Sequence, residues 1–171
     1  MPELGSGPEV PVRYSSVDPA SNVFRLVRAG GGHLPIGEPQ PKPDWLTPDD
    51  RDKDEARKTG RRAGVSFWVR PLASPPQVRA IRGLPPEPDA QPAYEAVVQT
   101  LVEVAAAMST EAVPFALEVV HDPDEVSTGT PGWQGHCLIE GLAAPTTDKA
   151  QRRAYDGLRQ ALIPHFTRCE D

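Results

Sequence analysis

Cysteine is scarce in this chain, with only Cys137 and Cys169 among 171 residues. Two cysteines cannot build the disulfide framework of a small oxidised scaffold. Aromatic residues make up only 6%. Long apolar runs are missing as well. No stretch reaches the roughly eighteen apolar residues that a membrane helix needs, so no membrane partner is expected. The leading residues Met1 to Pro8 lack a basic stretch followed by an apolar one, so a signal peptide is not expected either. A positive balance is also lacking: 18 Lys and Arg stand against 24 Asp and Glu, a net charge of −6. Non-specific affinity for nucleic acid comes mostly from neutralising phosphates, so a nucleic-acid partner is not expected. These absences point to a soluble cytoplasmic protein. The wealth of Ala, Arg, Pro and Gly suggests a bacterial one.

Apolar side chains are present in sufficient number: hydrophobic residues make up 38% and charged residues 25%, which permits a packed core. Proline is abundant, at 21 residues, beside 14 glycines. So much proline implies many irregular connections and few long elements.

The proline is concentrated toward the N-terminus. Residues 1–11 read as a leader, and Val12 to Val17 as a short strand. Val23 to Arg28 is a strand or a helical turn, ended by Gly30-Gly-Gly32. From His33 to Pro48 five prolines forbid regular structure, and Trp45 with Leu46 is expected to pin this stretch to the body. Residues 48–59 carry acids first and bases last, with Thr47 as N-cap, which suits a short charged helix. Residues 1–64 are therefore expected to form a partly irregular arm, and 65–171 a compact core.

In that core, Val65 to Arg70 reads as a strand, and Val78 to Leu84 as a strand or short helix. A helix is expected over 92–108 and a second over 147–163, the latter with one apolar stripe through Ala154, Leu158 and Leu162. Between them lie two strands, Pro114 to His121 and Gly135 to Leu142. The fold class is then α+β. The expectation is a small, mainly antiparallel sheet of about four strands, two principal helices, and a proline-rich N-terminal third.

The segments that could carry chemistry are few. His136-Cys137 lies in the last of those strands, and a thiol nucleophile needs a nearby base. Alternation puts Cys137 and Ile139 on one face and His136, Leu138 and Glu140 on the other. A cysteine in such a run is most often a small buried apolar residue. His121-Asp-Pro-Asp-Glu125 groups an imidazole with three carboxylates, yet it has no ligand spacing for a metal and reads as a solvated turn. Asp50, Asp52 and Asp54 alternate as in a calcium loop, but the sixth and twelfth positions are Glu55 and Arg61, so that motif is rejected. Lys58 to Arg62 is a small basic cluster and reads as a solvated face. No metal site and no cofactor is expected.

Three functional readings remain. The preferred one is a non-catalytic accessory or interaction protein with another protein as partner, using Trp45, Trp68, Trp133, His136 and Glu140 as binding residues. An alternative is a small hydrolase or transferase using Cys137 with His136 or His121. A third is a small-ligand pocket between the sheet and the proline-rich arm, walled by Trp68 and Trp133.

Overall fold

A computed structural model describes residues 9–169. Ten regular elements follow one another. They are β1 (Asn22–Leu26), α1 (Asp50–Thr59), β2 (Gly64–Val69), α2 (Pro75–Ile81), β3 (Ala93–Val97), α3 (Val98–Met108), β4 (Glu118–His121), β5 (His136–Glu140), α4 (Lys149–Leu162) and β6 (Thr167–Cys169). The fold is mixed, with one antiparallel sheet of six strands in the order β4-β5-β2-β1-β3-β6 and four α-helices.

The sheet is larger than the four strands expected from sequence because both ends of the chain enter it. β1, from the proline-rich third, lies between β2 and β3. The division at residue 64 is therefore not one that the sheet follows. Asn22 to Leu26 pair with Val97 to Ala93 over five positions. That pairing corrects the helix expected from residue 92: Ala93–Val97 is a strand, and α3 starts only at Val98. Tyr94 and Ala96 satisfy a strand period as well as a helical one, and the neighbouring strand decides between them.

One face of the sheet carries the main core. Val65, Phe67 and Val69 of β2 and Cys137 and Ile139 of β5 meet α3 and α4 there. Trp45 sits at the centre of this layer, 1% exposed, with edge-on rings of Phe67, Tyr94 and Phe166 at 5.3–6.2 Å. Such ring pairs add to the gain from burial itself. Its indole N–H donates to the Leu26 carbonyl at 3.3 Å, so the polar tip is satisfied. The stretch from His33 to Pro48 is thus anchored through Trp45 and Leu46, both buried.

The opposite face is covered only in part. Phe24, Leu26, Trp68 and Ala93 form a second, smaller cluster beneath Val78 of α2. α1 buries no residue, as its lack of an apolar face implies. Its ends are nonetheless well made. Asp49 and Asp52 exchange side chain-to-backbone hydrogen bonds at 2.8 and 2.9 Å, and Gly60 leaves the helix in the left-handed region. The N-cap is Asp49, two residues beyond the expected Thr47. α2 likewise settles the ambiguous stretch before Leu84 as a helix.

Ahead of β1, the chain runs along the outer edge of β4. His121 donates to the Ser15 carbonyl at 2.8 Å, Tyr14 donates to the His121 carbonyl at 2.6 Å, and Val17 donates to the Val119 carbonyl at 2.9 Å. This strap covers an edge that would otherwise offer unpaired backbone groups.

Candidate functional site

On the half-covered face, β2 and β5 present Ser66, Trp68, His136, Leu138 and Glu140 as the floor of an open groove of about 600 Å³. Its walls come from α1, from the strap at Arg13 and Tyr14, from the end of α2, and from the long β4–β5 connection beginning at Asp122. Alternation along β5 produces this division of labour. Cys137 and Ile139 enter the main core, while His136, Leu138 and Glu140 face the groove.

The imidazole of His136 is held on both nitrogens. Nδ1 lies 2.7 Å from the Asp122 carbonyl oxygen and 3.4 Å from its carboxylate, and Nε2 lies 3.1 Å from Ser66 Oγ. A carbonyl oxygen only accepts, so Nδ1 carries the proton in the neutral ring and Nε2 accepts from the Ser66 hydroxyl. Trp68 packs edge-on against the imidazole with ring centroids 5.0 Å apart. Asp122 also accepts from Arg13 Nε at 2.7 Å. Burial opposes the charge of this carboxyl, but the contacts from His136 and Arg13 outweigh it and hold Asp122 below the usual carboxylate range.

Glu140 is 2% exposed and is met by Arg61, whose Nε and Nη2 donate to its two oxygens at 2.9 and 2.8 Å. A planar guanidinium matches a carboxylate in this two-point way. That contact raises the Arg61 pKa. Tyr14 lies beneath two cations, with the guanidinium carbons of Arg61 and Arg13 at 4.3 and 4.7 Å from its ring centre. Its φ of 66° is unusual for a residue with a side chain, and costs about 1–2 kcal/mol that the surrounding contacts must offset.

At the other end of the groove, Arg25 donates to the Trp45 carbonyl and lies over its indole ring at 5.6 Å. Burial lowers its pKa to about 10, although Asp52 and Asp49 act in the opposite direction. Burial also raises the Asp52 carboxyl, which shares its hydrogen bonds with Asp49.

The residues expected from sequence are distributed as follows. His136, Glu140 and Trp68 come together in the groove. Trp45 is a core residue. Trp133 begins a turn in the β4–β5 connection and does not line the groove. Cys137 is wholly buried, and burial pushes its thiol far up, which deprives it of the thiolate a nucleophile needs. His121 faces Cys137 in the β4–β5 register, half-buried, and its Nδ1 has no hydrogen-bond partner among the described residues. Burial lowers its pKa.

Ser66 and Tyr14 belong to this site without any signal in the sequence, and Asp122 and Arg61 belong to it from segments that the sequence marks for other roles. The sequence suggests a solvated turn for Asp122 and a solvated basic face for Arg61. Each instead answers a polar residue on the floor. The available signal was Glu140: a carboxylate on an interior strand of the sheet demands a cation, though the sequence does not say which basic stretch, Lys58 to Arg62 or Lys149 to Arg153, supplies it.

No group of three or more His, Cys, Asp or Glu among the described residues is placed to hold a metal ion. No helix there is long and apolar enough to cross a membrane. Comparison with protein-family models, with curated proteins and with solved structures finds no match to the chain.

Proposed function

We propose that this is an interaction protein, and that the groove over β2 and β5 receives an extended polar segment of a partner protein. The observation that carries this reading is the make-up of the groove. It is open, its floor is a sheet, and residues of both charge signs line it. A peptide segment offers amides and side chains of both signs to such a surface, whereas a compact apolar ligand would leave the charged groups unanswered. Exposed Arg51 on α1 and exposed Glu125 on the facing connection flank the groove and are free to select among segments. Charges at a rim of this kind act chiefly on encounter rate and specificity.

The test is capture from native lysate with the chain immobilised, beside an Arg51→Glu/Glu125→Lys variant. Both residues are exposed, so the fold is kept. The native chain retains a stoichiometric partner, cross-links map it to the groove, and the variant loses it. A protein that captures no stoichiometric partner, or a variant that captures the same partner equally well, overturns the reading.

A further inference from the structure

The geometry points to a second capacity of the groove: we infer that Ser66 is a nucleophile activated by His136, which accepts an acyl group from a small polar carboxylic ester and passes it to water. This does not rest on a protein segment being the groove's occupant.

Three observations carry the inference. Ser66 Oγ lies 3.1 Å from His136 Nε2, within reach for proton transfer. The other ring nitrogen donates to the Asp122 carbonyl at 2.7 Å, which fixes the tautomer that leaves Nε2 as the base. The Asp122 carboxylate, 3.4 Å from Nδ1, is placed to stabilise the imidazolium formed when Nε2 takes the proton. These three groups have the relationship of nucleophile, base and orienting acid, and Ser66 and His136 both open onto a groove large enough for a small ester.

In the first step, Ser66 Oγ forms a bond to the ester carbonyl carbon while its proton passes to His136 Nε2. The bond from that carbon to the leaving oxygen then breaks, and the leaving alkoxide takes the proton from Nε2 and departs as the alcohol. In the second step water attacks the acyl-serine, giving its proton to Nε2. The bond to Ser66 Oγ breaks, the hydroxyl recovers the proton, and the carboxylic acid leaves. The sum is ester plus water giving acid plus alcohol, with no other reactant. Asp122 is a positioning residue here, since it touches the base and not the ester.

The native chain is incubated with a fluorophosphonate, from which a serine oxygen displaces fluoride, and is followed by intact mass and peptide mapping. The expected result is one phosphonyl adduct, on Ser66, absent in Ser66→Ala. His136→Asn keeps a donor in the place of Nδ1 but removes Nε2. It is expected to hold its melting temperature within a few degrees while labelling falls at least tenfold. p-Nitrophenyl acetate is hydrolysed by the native chain and not by either variant. The absence of an adduct on Ser66, an adduct elsewhere only, or a folded His136→Asn that labels at the native rate each overturns the inference. None of these results bears on partner capture, so the two readings fail separately.

Discussion

His136 and Ser66 are joined across a diagonal of the β2–β5 ladder. Trp68 stands directly opposite His136 and Leu138 opposite Ser66, yet the imidazole reaches past its own partner to place Nε2 3.1 Å from Ser66 Oγ. Diagonal neighbours on one sheet face lie within reach of ring side chains. The consequence is that His136 works away from the residue that follows it in sequence. Cys137 points through the sheet into the opposite core.

The two thiols should therefore separate cleanly by accessibility. In the native protein at neutral pH, iodoacetamide is expected to add one carbamidomethyl group, slowly, at half-buried Cys169. The second addition, at Cys137, follows only in denaturant. Intact mass against time, with and without urea, checks this. Equal reactivity of both cysteines without urea would mean that β5 opens readily, against its pairing on both sides with β4 and β2.

Arg61 and Glu140 give a second expectation. Removing one member of a buried ion pair costs about 3–5 kcal/mol, because the other charge is left without an answer. Arg61 retains 30% side-chain exposure, so water can reach the orphaned carboxylate in part. Arg61→Ala is accordingly expected to cost about 2 kcal/mol, or a fall of about 4–8 °C in melting temperature for a chain of this size. The double variant Arg61→Leu/Glu140→Leu is expected to recover most of that loss. Urea unfolding of the native protein, Arg61→Ala and the double variant measures it. A double variant less stable than Arg61→Ala would instead show the pair to be net stabilising.

Much of this arrangement could be read from the residues, and its limits have physical causes. β2, β5 and α4 were legible because each carries an unmixed period: Val65, Phe67 and Val69 alternate, and Leu158 and Leu162 fall one helical turn apart. Trp45 was legible as an anchor and equally as a binding residue, because a large ring in a proline-rich stretch serves either a core or a partner, and the rings of Phe67, Tyr94 and Phe166 decide for the core. β3 was not legible, since Ala93–Val97 fits both periods and only β1 settles the matter. β6 has three residues and acquires its strand character from β3 alone. The site was half legible. Glu140 and His136 stood out as polar groups on a strand, but their partners Arg61, Ser66 and Asp122 come from other elements. Separation along the chain, 79 residues for Arg61 and Glu140, leaves no local pattern to read.

The placement of β1 between β2 and β3 leads us to expect that the core needs the first third. A chain reduced to residues 65–171 would expose the facing edges of β2 and β3 and would lack the indole at the centre of the main core. It is expected to show no cooperative unfolding and little dispersion in its amide NMR spectrum. Within the whole chain, Trp45→Ala is expected to cost about 3–5 kcal/mol, as large aromatic truncations in cores do. A well-dispersed spectrum from 65–171 would instead make the N-terminal third a detachable arm.

His121 sets how stability should respond to mild acid. Its Nδ1 is buried with no partner among the described residues, and burial lowers its pKa from the ordinary 6.5. The unfolded chain therefore takes up the proton before the native one does. Stability is full above about pH 6.5 and is lost as pH falls from there through the lowered native value. Asp122 acts in a separate and lower window: its native pKa lies below the ordinary 3.8, so its contribution persists until strong acid. The two can be told apart by urea unfolding at pH 7.5 and 5.5. The native protein loses stability between these values, and His121→Phe, which carries no proton, loses less. The strap should report the same event, because Tyr14 and Ser15 hydrogen-bond to the backbone of His121. Amide exchange at Tyr14 is expected to rise at pH 5.5 beyond the intrinsic change in the native protein and to stay level in His121→Phe. Equal pH slopes in the two proteins would remove His121 as the cause.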